Sequence, residues 1–345
     1  MILTIGPVAH GGHFVARTPE GQVVFVRHAL PGETVRVEVT EDDGRFLRAD
    51  AVEVISPSPH RVVAPCPLAH PGGCGGCDFQ HVDPTYQRSL KAAVVHEQLE
   101  RLAGLDWPVS VEEEPPTLRW RTRMQYVELP GGRRGLRKHR SHDVVEVEDC
   151  LIAAPDARTE RGGTVVEHVG PHSFEVAADG FWQVHPAAPQ VLVDAVLGML
   201  RPRPGERSLD LYAGVGLFSA FLAEHGPVVA VEGNRGAASY AERNLAGTDA
   251  RVLHGPVDRV LRRGLEGRFD LVVLDPPRVG AKRKVVEAVT ALGPRAVAYV
   301  ACDPAALARD VGYFAEAGYA LGKLRAFDLF PMTHHVECVA LLEPR

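Results

Sequence analysis

The 345-residue sequence lacks any long hydrophobic run, and this lack limits where the protein can reside. No apolar stretch approaches the ~20 residues that a membrane-spanning helix needs. Residues 1–5 carry neither a basic segment nor a long apolar one, so we expect no secretory signal. With 45% hydrophobic and 24% charged residues, the composition is that of a globular protein. We expect a cytoplasmic location without membrane association.

The chain also lacks an excess of positive charge. Its net charge of −6 argues against indiscriminate binding to nucleic acid, but it is compatible with a local basic surface. Lysine is scarce, at five of the 38 basic residues, a bias that we attribute to genome composition and not to function. Six cysteines are present, and in a cytoplasmic chain they are not expected to form structural disulfides. The length allows about two or three domains.

The first 56 residues alternate short runs of strand-forming residues with turns. Residues 23–26 and 34–39 are two such runs, separated by Pro31-Gly32. Several short strands in so few residues predict a small β-barrel of the OB type, a fold that often binds nucleic acid. A barrel with some other partner fits the pattern equally well. A proline-rich linker follows, so the first domain is expected to span residues 1–56.

Four of the cysteines have the spacing of metal ligands. Cys74 and Cys77 form a CxxC pair, Cys66 precedes the pair by eight residues, and Cys150 is the nearest further candidate. Glycines between Cys66 and Cys77 allow the loop to curl, so that several sulfurs converge. Four cysteines hold either zinc or an iron–sulfur cluster. A zinc ribbon usually has two CxxC pairs, and the lack of a second pair favours iron–sulfur.

A basic segment follows in the middle of the chain. Residues 119–140 carry eight basic residues against one acidic residue, a strong local asymmetry in an acidic chain. This segment is the best candidate for contact with a phosphate backbone, whereas a solvated hairpin without such contacts is the alternative. The basic residues that we expect to contact RNA are Arg121, Arg123, Arg134, Arg137 and Lys138.

Beyond residue 180 the pattern changes to regular alternation of strands and helices. This alternation predicts an α/β fold with a doubly wound, mostly parallel sheet. We assign residues 181–345 to this catalytic domain, and residues 57–180 to a small β-rich domain with the cysteines and the basic segment. A helix is predicted over residues 84–104 and is expected to pack on the catalytic domain.

A glycine turn in the α/β part indicates a nucleotide-type cofactor. Gly214 and Gly216 follow a predicted strand and let the backbone approach a ligand, and Glu232 ends the next strand, where an acid can bind ribose hydroxyls. Ser219 stands where a dinucleotide-binding GxGxxG motif has its third glycine. The lack of that glycine disfavours a dinucleotide and favours S-adenosylmethionine.

Two further strand ends point to carbon methylation. Asp275 is followed by two prolines and Arg278, where methyltransferases acting on amino groups have an aromatic residue. Cys302 ends the strand predicted over residues 296–301, at the edge where α/β sheets place ligands. A thiolate that adds to C6 of a pyrimidine activates C5 toward a methyl group. Glu337, on the last predicted strand, is the candidate base for the C5 proton.

With these residues in place, the chain resembles the RNA uracil-5-methyltransferases that carry an N-terminal TRAM domain. The resemblance implies that residues 1–56 are the TRAM module and that the four cysteines hold a 4Fe–4S cluster. It identifies Cys302 with the nucleophile and Glu337 with the proton acceptor. It also implies cofactor contacts from Gln183, Tyr212, Gly214, Gly216, Glu232 and Asp275. Phe181 and Trp182 are then expected to stack on bases of the RNA.

The resemblance implies C5 methylation of a uridine in RNA, with the uridine flipped out of its stack. A TRAM domain together with a cluster resembles the 23S rRNA enzymes, so rRNA is the expected substrate and the tRNA T-loop the alternative. An exocyclic-amine methyltransferase, in which Cys302 is dispensable, and a non-catalytic RNA-binding protein are further alternatives. Zinc is the alternative to the cluster. The oligomeric state is not predicted.

Overall fold

The computed structural model describes residues 1–159 and 162–345, which form two compact units. The N-terminal unit consists of Met1–Val94, Glu113–Thr159 and Asp328–His335. The α/β unit consists of Val95–Glu112, the described part of Glu160–Phe327, and Val336–Arg345. Among the described residues, no helix is both long and apolar enough to cross a membrane. The three domain boundaries expected from the sequence stay a prediction.

The elements of the first half of the chain are mostly short strands. They are β1 Ile2–Thr4, β2 Val8–Ala9, β3 His13–Arg17, β4 Val23–Arg27, β5 Thr34–Asp42, β6 Phe46–Ser56, α1 Pro84–Gln98, β7 Val111–Glu113, β8 Arg121–Arg123, β9 Val127–Leu129, β10 Arg133–Arg137, β11 Val144–Glu146, β12 Ala153–Arg158, β13 Thr164–Val169 and β14 His172–Ala177.

Strands and helices alternate in the second half. The elements are α2 Ala188–Leu200, β15 Ser208–Leu211, α3 Leu217–Leu222, β16 Val228–Glu232, α4 Arg235–Asn244, β17 Ala250–His254, α5 Val257–Arg263, β18 Leu271–Leu274, α6 Arg283–Ala291, β19 Ala296–Ala301, α7 Pro304–Glu316, β20 Tyr319–Asp328 and β21 Glu337–Pro344.

Strands β1 to β6 form one sheet in the order β1-β5-β6-β4-β3-β2. Its two outermost strands, β1 and β2, are consecutive in the chain. The residues that connect them pair with β3: Gly6 donates to the Val15 carbonyl at 2.8 Å, and Val15 donates to the Pro7 carbonyl at 2.9 Å. One continuous segment is thus bonded to β5 at its start and to β3 at its end. The sheet therefore closes on itself as the predicted small barrel. Alternate side chains, among them Phe14 and Val24, are fully buried inside it.

The α/β unit is built on an eight-stranded sheet in the order β17-β16-β15-β18-β19-β21-β20-β7. The first five strands are parallel, and β21 runs antiparallel to both β19 and β20. The predicted α/β fold with a mostly parallel sheet is confirmed. Strand order reverses between β15 and β18, and the carboxyl ends of the parallel strands share one edge, where such sheets bind their ligands.

The predicted helix over residues 84–104 corresponds to α1 and a π-helical turn, Leu99–Ala103. Gly104 ends the helix with a φ of 66°, a left-handed conformation that favours glycine. Val95 and Leu99 belong to the apolar core of the α/β unit, and the expected packing of the whole helix on the catalytic domain stays a prediction. Leu90, on the first half of α1, belongs to the core of the N-terminal unit.

Candidate active site at the carboxyl edge of the sheet

Cys302 and Glu337 lie at the same edge of the sheet, at the ends of two neighbouring strands. Strands β19 and β21 pair antiparallel, and the last pair of the register joins Ala301 to Cys338. One further step along both strands brings Cys302 opposite Glu337. Cys302 is partly exposed and Glu337 is 4% exposed. Cys338 points to the other face and is buried in the apolar core, as its alternate position predicts.

The chain turns sharply after Cys302 because a helix starts there. Asp303 is the N-cap of α7, and its side chain accepts a hydrogen bond from the Ala306 backbone at 2.8 Å. Pro304 occupies the first position of the helix, where its missing N–H costs no hydrogen bond. The thiol is therefore fixed between the end of a buried strand and the beginning of a helix.

The thiol and the carboxyl group influence each other. Burial, together with the nearby Glu337 carboxylate as the second cause, raises the pKa of the Cys302 thiol to about 12. Burial likewise raises the pKa of Glu337 well above its usual range, with Asp275 as the second cause. The Arg278 guanidinium opposes both pKa shifts. These four groups therefore lie within electrostatic reach of one another, and the site in its resting state favours a neutral thiol and a neutral acid.

The turn between β15 and α3 offers space to a cofactor. Tyr212, Gly214 and Gly216 have φ values of 65°, 58° and 96°. A Cβ atom on Gly214 would meet no atom within 4 Å, so the backbone here faces open space. Glu232 is fixed beside the turn, because its two oxygens accept backbone hydrogen bonds from Gly214 at 2.8 Å and Asn234 at 2.6 Å. An open backbone next to an oriented carboxylate fits the ribose of S-adenosylmethionine.

Sequence reasoning missed one carboxyl group of this edge, Asp210. It is fully buried on β15, where one oxygen accepts a hydrogen bond from the Ser219 hydroxyl at 2.6 Å. The other oxygen has no hydrogen-bond partner among the residues that the structure describes. Burial raises the pKa of Asp210 to about 6 and that of Asp275 to about 7, the latter also through Asp210 and Glu232. A lone acid inside an apolar strand was the available signal.

Residues 181–183, just before α2, have predicted roles in RNA stacking and cofactor binding, and they differ in how exposed they are. Phe181 is 71% exposed, which leaves its ring accessible. Trp182 is 6% exposed and packs on Phe174, with ring centroids 5.6 Å apart. The expectation that Trp182 stacks on RNA is therefore wrong, because its ring belongs to the protein core. Gln183 is half-buried and follows directly.

The four cysteines with ligand spacing all lie in the N-terminal unit and influence one another electrostatically. Burial raises the pKa of Cys77 to about 12, and the nearby Cys150 and Cys74 thiols contribute. Burial also raises the pKa of Cys74, again with contributions from Cys150 and Cys66. Each thiol is thus within electrostatic reach of at least one other. Two of the sulfurs accept N–H donors at 3.4 Å, Cys74 from the Gly76 backbone and Cys77 from a side-chain amide.

The cysteine loop is folded too tightly for larger residues at two glycines. A Cβ atom on Gly73 would lie 2.2 Å from the Leu68 carbonyl oxygen, and one on Gly75 would lie 2.4 Å from the His139 nitrogen. Throughout the described ranges, no group of three or more His, Cys, Asp or Glu residues is arranged to hold a metal ion. His334 lies on the turn before β21, with its Nδ1 atom 2.6 Å from Asp78.

The second half of the basic segment lies in a three-stranded sheet, β9–β11, and its first part, β8, pairs with β12; most of its charges have partners. Arg134 stacks over the Tyr126 ring at 4.4 Å and donates to the Glu148 carbonyl at 3.0 Å. Arg137 lies 2.8 Å from a ring nitrogen of His142. Its neighbour, Lys138, lies 3.9 Å from Asp143. On β8, the Arg121 guanidinium donates to the Arg123 carbonyl at 3.2 Å.

Acidic residues just beyond position 140 supply several of these partners. Arg133 pairs with Glu146 at 2.7 Å across the β10–β11 ladder, and Arg119 pairs with Asp149 through both terminal guanidinium nitrogens. The asymmetry seen over residues 119–140 is thus partly neutralised within the fold. Contact between RNA and this surface stays a prediction.

The fold and the site together define the class of protein to which the chain belongs. A parallel sheet with a glycine turn after β15, an acid at the end of β16 and Asp-Pro-Pro after β18 is the Rossmann-like fold of methyltransferases. Residues 2–52 match the TRAM domain family and residues 190–301 the methyltransferase small domain family. Residues 265–345 match the tRNA (uracil-5-)-methyltransferase family.

Similarity to other proteins of this class extends over nearly the whole chain. An uncharacterized RNA methyltransferase of Streptomyces avermitilis is 46% identical, covering 99% of this chain and 97% of the relative. The 23S rRNA (uracil(1939)-C(5))-methyltransferase RlmD of Acinetobacter baylyi is 29% identical, covering 97% and 92%. The Pyrococcus abyssi tRNA (uracil-54, C5)-methyltransferase, solved with S-adenosyl-L-homocysteine, has a TM-score of 0.75 at 21% identity, covering 99% of each chain. The chain belongs to the TRAM-domain RNA (uracil-5-)-methyltransferase family, as its resemblance predicts, and is an RNA methyltransferase.

Proposed function

We propose that the protein methylates C5 of a specific uridine in RNA, with Cys302 as the nucleophile and Glu337 as the base. The observation that supports this most strongly is the register of β19 and β21, which sets Cys302 opposite Glu337. The reaction needs a thiol and a base that approach one pyrimidine ring together, and two neighbouring strand ends provide that pair.

The proposed chemistry follows from these two side chains. The Cys302 thiolate forms a bond to C6, and the electrons of the C5=C6 double bond move toward O4 as an enolate. C5 then takes the methyl group. Glu337 removes the proton from C5, the C5=C6 double bond returns, and the C6–sulfur bond breaks to release the thiolate. Because burial raises the pKa of Glu337, this carboxylate is a stronger base than an exposed one.

S-adenosylmethionine supplies the methyl group from its sulfonium centre when it is bound. We assign its binding to Gln183, Tyr212, Gly214, Gly216, Glu232 and Asp275. Support comes from the open space beside Gly214 and from the fixed orientation of Glu232. In their ionised forms, the buried Asp210 carboxylate and the partly buried Asp275 carboxylate favour a positively charged sulfonium over a neutral thioether.

The RNA substrate is proposed to be 23S rRNA. Support comes from the RlmD relative, whose similarity extends over almost all of this chain, and from the predicted pairing of a TRAM domain with a cluster. The target uridine has to leave its stack for both ring edges to be reached, and the exposed Phe181 is a suitable stacking surface for it or for a neighbouring base. Further contacts are assigned to Arg121, Arg123, Arg134, Arg137 and Lys138.

Cys66, Cys74, Cys77 and Cys150 are proposed to hold a 4Fe–4S cluster. The mutual influence of the four thiols and the N–H donors to two sulfurs support this, because such donors are typical around cluster sulfurs. A zinc ion with bonds of about 2.3 Å would require sulfurs within roughly 4 Å of one another. No group of three or more ligand residues among the described residues is arranged to hold a metal ion, so the cluster and its zinc alternative both rest on the sequence spacing and the resemblance.

Nucleoside mass spectrometry of rRNA and tRNA from a strain that lacks the gene tests the proposal. We expect 5-methyluridine to fall in the rRNA pool and to return with the wild-type gene but not with Cys302→Ala. Loss from the tRNA pool would move the substrate to tRNA. Unchanged 5-methyluridine together with loss of an N-methylated base would favour the amine-methylating alternative. No change in any nucleoside would favour the non-catalytic alternative.

A further inference from the structure

The loop that follows Asp275 is held by a buried carboxylate from another element. Asp310, on α7, is fully buried. One of its oxygens accepts three hydrogen bonds, from the Ala281 backbone at 2.7 Å, the Lys282 backbone at 3.1 Å and the Tyr299 hydroxyl at 2.7 Å. Its other oxygen pairs with the Arg309 guanidinium at 2.8 and 2.9 Å. All the strong acceptor positions of this buried anion are thus in use.

Arg309 extends the same anchor along the loop. Its guanidinium donates to the Val279 carbonyl at 2.9 Å, in addition to its pairing with Asp310. Gly280 closes a turn by donating to the Pro277 carbonyl at 2.7 Å. A Cβ atom on Gly280 would lie 2.5 Å from both the Arg309 guanidinium and the Asp310 carboxylate. The loop therefore has one well-defined backbone arrangement, although Pro277 and Val279 are exposed.

The position of Arg278, in the loop that the Asp310 anchor holds, suggests what this anchor is for. Arg278 lies within electrostatic reach of both Cys302 and Glu337. The anchor and the thiol are also carried by one element, because α7 begins two residues after Cys302 and contains Asp310 two turns later. A single helix thus fixes the thiol at its start and the arginine-bearing loop along its side.

We propose that Asp310 is a positioning residue, which holds the Val279–Lys282 backbone so that the Arg278 guanidinium stabilises the Cys302 thiolate. This inference rests on the proposed role of Cys302 as the nucleophile. Without a fixed cation, the thiolate would form beside the Glu337 carboxylate in a partly buried site, where two negative charges repel each other. A purely structural role for Asp310, as a cap for the beginning of α6, predicts no effect on the thiol.

The test is alkylation of Cys302 by iodoacetamide between pH 7 and pH 10, followed on the Cys302 peptide by mass spectrometry of the full-length protein. This assay needs neither RNA nor S-adenosylmethionine, so its outcome is independent of the RNA substrate. At pH 8 we expect Arg278→Gln and Asp310→Asn each to slow alkylation about tenfold, the change that one pKa unit makes. Arg278→Lys should restore most of the rate because it keeps a positive charge.

Two further variants keep the test decisive. Glu316→Gln, a matched control on α7, breaks the Arg283–Glu316 ion pair outside the loop and should leave alkylation unchanged. Tyr299→Phe removes one hydrogen bond to Asp310 and should slow alkylation two- to threefold, which covers the case in which Asp310→Asn does not fold. Normal alkylation in Asp310→Asn or Tyr299→Phe with a lowered Tm would overturn the proposal. Slowed alkylation in an enzyme that makes no 5-methyluridine would instead overturn the proposed function.

Discussion

The chain presents cysteines in two different environments, and the comparison shows how surroundings decide what a thiol can do. Cys302 lies at the end of a buried strand, opposite a carboxyl group and near an arginine, and its neighbour Cys338 is buried on the opposite face of the sheet. The other set, in the N-terminal unit, has three cysteines on a glycine-rich loop and Cys150 outside it; each sulfur lies within electrostatic reach of another, and two accept N–H donors. The first arrangement suits a single nucleophile, and the second suits a shared ligand.

Removing the thiol of Cys302 is expected to have the largest effect. Cys302→Ala removes the nucleophile, and methyl transfer to RNA should fall by roughly 10⁴-fold or more, since losing a nucleophile commonly costs that much. Transfer of a labelled methyl group from S-adenosylmethionine to RNA measures it. The variant should keep its full iron content, because Cys302 is not among the proposed ligands. Retained activity would remove Cys302 from the mechanism.

Glu337→Gln should have the second-largest effect. The amide cannot take the C5 proton, so turnover should fall roughly 10²- to 10⁴-fold, the usual contribution of a general base. Steady-state turnover under saturating substrate measures the loss. Glu343→Gln is the matched control, since it lies on the same strand but is exposed, and it should behave like the wild type. Equal losses in the two variants would point to damage of β21 and not to lost chemistry.

The raised pKa of the Cys302 thiol predicts that the rate of methyl transfer depends on pH. Because the pKa of Cys302 is about 12, the thiolate fraction grows about tenfold per pH unit between pH 7 and pH 9. Deprotonation of Glu337, whose pKa is also raised, favours the reaction in the same direction. The single-turnover rate should therefore rise about a hundredfold over these two units. A flat profile, with RNA binding unchanged, would contradict the assigned ionisation states.

Breaking the second environment should affect stability and colour more than chemistry. The proposed 4Fe–4S cluster predicts a brown protein that contains iron, and it predicts that Cys74→Ala removes the colour and the iron and lowers the Tm by roughly 10 °C, because a bound metal centre stabilises the folded state. Iron and sulfide analysis with a thermal melt measures these changes. An iron-free but zinc-loaded wild-type protein would instead establish the zinc alternative.

The smallest effect is expected on the basic sheet of the N-terminal unit. Arg137→Ala should weaken RNA binding a few-fold and reduce the salt dependence of log Kd by about one unit if the side chain contacts a phosphate. Arg262→Ala is the control, an exposed arginine on α5 whose partner, Asp258, lies one turn away on the same helix. Identical salt slopes for the two variants would show that the basic sheet is a solvated hairpin.

The catalytic edge could be predicted because local patterns determine it. The apolar run of residues 296–301 coincides with β19, since all six of its side chains are buried and Asp303-Pro304 marks its end. Strand alternation is enough to place Glu337 and Cys338 on opposite faces. The carboxyl ends of parallel strands meet at one edge, so residues far apart in the sequence could be assembled into one site.

Features that depend on contacts between distant elements could not be predicted. The ion pair between Arg133 and Glu146 depends on the register of a hairpin, which a window of charges does not reveal. Trp182 is buried because β14 brings Phe174 against it. The role of Asp310 requires that α7 pack beside the loop after Asp275, and nothing in the local sequence of either segment indicates that contact.

The most direct test of the proposed mechanism is intact and peptide-resolved mass spectrometry of the Glu337→Gln variant incubated with substrate RNA and S-adenosylmethionine. Without its base, the variant should form the C6–sulfur bond but fail to release it. We predict a covalent protein–RNA adduct located on Cys302, with a methylated uridine attached and the other five cysteines unmodified. The absence of any adduct while 5-methyluridine still forms, or an adduct on a cysteine of the N-terminal unit, would contradict the mechanism.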